Sequence, residues 1–154
     1  MPDETDCPFM VRRHRTSLLN MDGQDYLRIT TDAFVPFLSE LGFRMDAPSI
    51  SGRFYRVSFT ALRHQVSLSY EPGDDAFFVV VFCREGGQLS DYDDRTRTPR
   101  LSDLNMRYMH LVSVSERASN QAFFEGVIAR DPGEGLVLKA AKELRLVLPR
   151  HLQS

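Results

Sequence analysis

A chain of 154 residues is long enough to form one domain around a useful core, without disulfides or a metal to hold it together. Its apolar content of 42% is that of an ordinary globular protein, and a net charge of −2 gives no footing for nucleic acid. Two cysteines, Cys7 and Cys83, do not make a disulfide framework, so residence in the cytosol is expected.

No apolar run approaches the roughly 18 residues that cross a bilayer. The opening Met1-Pro2-Asp3-Glu4 is made acidic by Asp3 and Glu4 where a secretory leader needs basic residues, so neither leader nor membrane contact is expected. The whole of 1–154 is read as a single α+β domain. Residues 1–20 read as an arm, mobile or lying at a sheet edge. Their cluster Val11, Arg12, Arg13, His14 and Arg15 is read as solvated, not as a nucleic-acid contact.

Residues 21–24 read as a turn. Thr31 and Asp32 are candidate caps for a first helix, followed at three- and four-residue spacing by Phe34, Phe37, Leu38 and Leu41. Pro36 is then placed in the first turns, where its missing N–H costs least, and Gly42 at the end. Residues 46–52 lead into the sheet.

Three strand-like runs follow, at 54–60, 64–70 and 76–83. Tyr55, Val57 and Phe59 alternate with Arg56, Ser58 and Thr60. In the second run Val66, Leu68 and Tyr70 alternate with Gln65, Ser67 and Ser69. Successive strand side chains point to opposite faces, so each run has one buried and one wet face. The third run, Phe77 to Phe82, is apolar on both faces, which predicts a central strand covered from both sides or partly covered by a partner. Glu71, Pro72, Gly73, Asp74 and Asp75 form a hairpin turn, and Ala61, Leu62 and Arg63 are too few for a crossover helix. An antiparallel meander of three to four strands is therefore expected.

A long polar stretch runs from Arg84 to Arg100, a length that often carries function. Beyond it Ser102 is a candidate cap, with Leu104, Tyr108, Met109, Leu111 and Val112 as an apolar set. Ser115 or Ser119 starts another helix, burying Ala122, Phe123, Val127 and Ile128. Asp131, Pro132 and Glu134 are a strong start signal for the last helix, which Pro149 should stop. Two to three C-terminal helices packed on the sheet complete the architecture.

Motifs for chemistry are missing. Asp91, Asp93 and Asp94 do not continue as a calcium loop, because Arg95 and Thr96 stand where an oxygen ligand and a glycine are needed. His14, His64, His110 and His151 lack zinc-ligand spacing. There is no Gly-x-Ser-x-Gly elbow and no phosphate loop, and Cys83 reads as a small core residue. Neither cofactor nor metal is expected. The remaining candidate is a binding surface for a protein. Asp91, Asp93 and Asp94 interleave with Arg95, Arg97 and Arg100 around Tyr92, and Asp74 and Asp75 extend an acidic patch if the two loops share a side. Charge steers encounter and an aromatic anchors it. The competing reading is a solvated loop whose charges pair internally.

The succession FVPFLSELGF, RFYRVSF, HQVSLSY and FFVVVF, then an acidic loop and terminal helices, resembles small bacterial immunity proteins over residues 30–115. Those proteins neutralise toxins of contact-dependent inhibition and related polymorphic systems. The resemblance implies a stoichiometric, non-enzymatic inhibitor that binds a cognate toxin domain in the cytoplasm. It assigns no individual residue a role. The alternatives are a type III-like secretion chaperone or adaptor, and an enzyme with an unrecognised site drawing on Cys83, His64 or the Asp91–Asp94 carboxylates. Sequence sets neither the oligomeric state nor the strand order.

Overall fold

The computed structural model describes residues 21–74 and 76–154. The expected arm, the basic cluster around Arg13, Cys7, His14 and the hairpin residue Asp75 lie outside the described residues.

The fold is α+β: an N-terminal helix, an antiparallel sheet and C-terminal helices packed on it. Helix α1 spans Gly23–Glu40, eight residues earlier than Thr31. Residues 21–24 are thus its start and not a free turn. The Asp22 carboxylate accepts from the Asp25 amide at 2.8 Å, and Tyr26, Ile29, Ala33, Phe34, Phe37 and Leu38 continue one buried stripe. Thr30 is buried within that stripe because its hydroxyl donates to the Tyr26 carbonyl at 2.7 Å. The early start leaves Pro36 deep in the helix, on its exposed side, where water can solvate the orphaned carbonyl. After Leu41 the amides of Gly42 and Phe43 return to the carbonyls of Ser39 and Leu38 at 3.1 and 2.9 Å. This closing motif needs a left-handed residue, and Gly42 supplies it at φ +91°.

The long strands are β3 (Tyr55–Thr60), β4 (His64–Glu71) and β5 (Ala76–Glu85), preceded by β1 (Arg44–Met45) and β2 (Ser49–Ile50) and followed by β6 (Gln88–Leu89). Their order is β1-β3-β4-β5-β6, with β2 also on β3. The alternation places Tyr55, Val57, Phe59, Val66, Leu68 and Tyr70 in the core as the pattern requires. Strand β5 is not central. Among the described residues, beyond it stand only the two residues of β6, opposite Arg84 and Glu85, and an isolated bridge from Val80 to Arg100. Its second apolar face is covered only in part: Val80 is 5% exposed but Phe78 is 48% exposed.

Helix α2 (Leu101–Tyr108) begins one residue before Ser102, because the Asp103 carboxylate accepts from the Arg100 amide at 2.9 Å. A 3-10 turn, Met109–Leu111, then shifts the phase, so Leu104 and Val112 are buried while Leu111 faces solvent. Helix α3 (Val114–Phe123) starts at neither Ser115 nor Ser119. Ser113 caps it in a reciprocal box with Glu116, at 3.0 and 2.9 Å. Ala122 and Ile128 are exposed. Phe124 turns inward instead, its ring 6.1 Å from that of Phe37.

Helix α4 (Pro132–Gln153) opens on Asp131, which accepts from the Glu134 amide at 2.9 Å. It runs through Pro149 for another turn, since Leu144, Val147 and Leu148 keep it seated on the core. Packing outweighs the one lost ladder bond. Glu134 is buried and does not bond the cap amide. It receives the Arg130 amide at 2.9 Å and the Arg28 guanidinium from α1. Burial alone would raise this carboxyl, but those donors outweigh it and hold it below its ordinary range.

Candidate functional site

Helices α1 and α4 share the core with the inner face of the sheet, and no helix residue lines the hollow on the outer face among the described residues. The outer face carries three registered columns. One row is Arg56, Ser69 and Phe78; the next is Ser58, Ser67 and Val80; the third is Thr60, Gln65 and Phe82. The middle row is the least bulky, so the face is hollowed there. The hollow is a trough of about 450 Å³, with Phe54 and Glu71 towards one end and Leu89 and Tyr92 on its rim.

The 84–100 segment forms this rim and is not a free loop. Ser90 bonds β5 at both groups of Cys83, at 2.8 and 2.9 Å, and its hydroxyl meets that of Thr98 at 2.6 Å. Thr98 is fully buried and donates to the Asp91 carbonyl at 2.7 Å. The Val81 amide donates to the Pro99 carbonyl at 2.9 Å. Both ends of the turn are therefore pinned, while residues 91–97 face solvent.

Within that turn most charges pair internally. Arg95 grips Asp103 through two bonds of 2.9 Å, and Arg97 meets Glu85 at 3.0 Å. Arg95, ahead of the Arg100 amide, holds the Asp103 carboxyl below its ordinary value. Asp91 accepts from the Asp93 amide at 3.1 Å, and Asp94 from the amides of Thr96 and Arg97 at 3.1 and 3.3 Å. These short side chains build the turn. Asp93 differs: among the described residues its carboxylate has no partner. Tyr92 is 52% exposed, with the Arg100 guanidinium 3.9 Å from its ring centre and Phe82 at 6.5 Å. Arg100 also donates to the carbonyls of Tyr92 and Thr98, at 2.6 and 3.0 Å. Arg100 thus holds the half-exposed ring in place.

Asp74 is exposed in the β4–β5 hairpin, and its hydrogen bond to Glu71 raises the Glu71 carboxyl. No hydrogen bond or ion pair joins Asp74 to residues 91–97 among the described residues. Phe78 and Tyr92 form a ridge between the trough and a second groove of about 470 Å³, bounded by Leu101, Leu136 and Ala140.

At the other end of the sheet His64 stands directly across from Cys83 in the β4–β5 ladder. The two share a pocket of about 530 Å³ with Arg63, Arg84 and Leu152. The His64 ring lies 5.7 Å from that of His151 on α4. Burial, then His64 and Arg107, push the His151 imidazole down to about 4, and burial with Arg63 lowers His64. Among the described residues no group of three His, Cys, Asp or Glu side chains is arranged to hold a metal ion.

Sequence reasoning assigned Arg56, Ser58, Ser67 and Ser69 only to a wet face. Their signal was the serine at matching places in neighbouring runs, which becomes a floor once the register is known. Comparison of the chain with protein-family models, with curated proteins and with solved structures gave no match. No helix of the described residues is long and apolar enough to cross a membrane.

Proposed function

We propose that this chain is a non-enzymatic cytoplasmic binding protein, and in particular an immunity protein that neutralises a cognate toxin domain by stoichiometric contact. The observation that carries the reading is the turn at 91–97. It is exposed along its length, yet fixed to β5 at both ends. Tyr92 is held outward by Arg100, and Asp93 offers a carboxylate with no partner among the described residues. A preorganised aromatic beside an unengaged charge loses little freedom on binding, and this is how interface anchors gain affinity. Asp91, Asp94, Arg95 and Arg97 shape the turn and contribute their outer edges. The test is co-elution with a purified cognate toxin domain, sought first among the products of neighbouring genes. Tyr92→Ala and Asp93→Lys should each weaken that complex without shifting the unfolding midpoint. Loss of folding in either variant would make the turn structural and sink the reading.

The opposition of His64 and Cys83 across one pocket favours a second reading, an enzyme with a thiol nucleophile. An activated thiolate would be alkylated by iodoacetamide at neutral pH well ahead of free cysteine. A Cys83 no faster than the free amino acid removes this alternative.

A further inference from the structure

We propose that the trough on the outer face of the sheet is a binding site for a small aromatic acid, a flat ring carrying a carboxylate. This goes beyond the toxin-binding reading and shares with it only Tyr92 and the Arg100 that holds it. The first argument is shape. The Ser58–Ser67–Val80 row is small and the rows either side are bulkier, so the register itself hollows the face. Its volume of about 450 Å³ suits a molecule of one or two rings. Phe54 stands towards one end and Phe82 with Leu89 towards the other. A compact ligand fits between them better than an extended chain segment.

The second argument is polar groups that are open to solvent and not engaged within the protein. Among the described residues the hydroxyls of Ser58, Ser67 and Ser69 have no hydrogen-bond partner. Arg56 makes no ion pair there and lies against the Phe54 ring at 5.1 Å. Glu71 borders the same end but is engaged with Asp74, which leaves Arg56 as the cation that addresses the trough. A guanidinium offers a planar fork that matches a carboxylate with two parallel bonds. The serine beside it, Ser69, is its direct cross-strand neighbour. The third argument is the wall. Phe78, Phe82 and Tyr92 stand along the β5 side, and Arg100 holds the Tyr92 ring in place. Aromatic walls favour flat apolar rings. An acid group at Arg56 and a ring against that wall satisfy both halves of the trough together.

The probe is 2-naphthoate, titrated into the purified chain by calorimetry and followed by saturation-transfer NMR, with neutral 2-naphthamide as control. Saturable one-to-one binding of 2-naphthoate is expected. Arg56→Gln should weaken 2-naphthoate about tenfold or more while leaving 2-naphthamide unchanged, the loss of one charge-assisted pair. Ser67→Leu should fill the floor and abolish both. Should that variant unfold, Ser58→Val serves the same purpose. No saturation at millimolar 2-naphthoate, or binding indifferent to the floor variants, overturns the site. An Arg56→Gln chain that binds the acid as well as the parent overturns the acid assignment. Neither Arg56 nor Ser67 belongs to the 91–97 turn, so toxin co-elution tests its own reading independently.

Discussion

At the scale of single residues, His151 couples this fold to pH. In the folded chain its imidazole is pushed down to about 4, by burial first and by His64 and Arg107 after it. In the unfolded chain it titrates near 6.5. Between those values the unfolded state binds the proton and the folded state does not. Stability is therefore full above about pH 6.5 and falls as pH drops towards 4. His64 shifts the same way and adds to the slope. Urea unfolding at pH 7.5, 6 and 5 should show a falling midpoint, and His151→Phe should flatten that fall. An unchanged slope would mean the imidazoles are solvated. The acidic side chains contribute lower down: Glu134 and Asp103 are depressed, so their share is lost only below the ordinary carboxylate range.

Elements show what was legible and what was not. The strands could be read because alternation is a two-residue signal, and burial follows it along β3 and β4. Helix starts were harder. Asp22 caps α1, but a preceding Met and a following Gly disguised it as a turn. Packing also overrode local chemistry, as Pro149 within α4 makes plain. The Asp91–Arg97 residues could be picked out by composition. The trough could not, since it exists only where serines of two strands fall opposite each other. Gly42 is a case in which sequence and geometry agree, ending α1 at positive φ with no heavy atom near a built Cβ. Gly42→Ala should cost about 1–2 kcal/mol from backbone strain alone, read as a shift in the denaturation midpoint. No shift would show that the chain reaches Phe43 by another turn.

For the molecule as a whole, the two faces of the sheet do different jobs. The inner face packs against α1 and α4 through Phe37, Val57, Leu68, Val81 and Leu144. Phe37→Ala should cost roughly 3–5 kcal/mol, because its ring touches both Phe34 and Phe124 and leaves a cavity. On the outer face Phe78 is half in water, and Phe78→Ser should stay within roughly 0.5 kcal/mol. Comparable losses at both positions would mean that the outer face is packed in solution.

Helix α4 carries this division further. Val137, Ala140, Ala141, Leu144, Val147 and Leu148 all reach the core from it, and its first turn is tied to α1 through Glu134 and Arg28. During synthesis the meander therefore emerges from the ribosome well before the second of the two helices that shield it. Until residues 132–153 follow, the nascent sheet has α1 but not α4 over its apolar face, and cellular holdases have their longest opportunity to engage it in that interval.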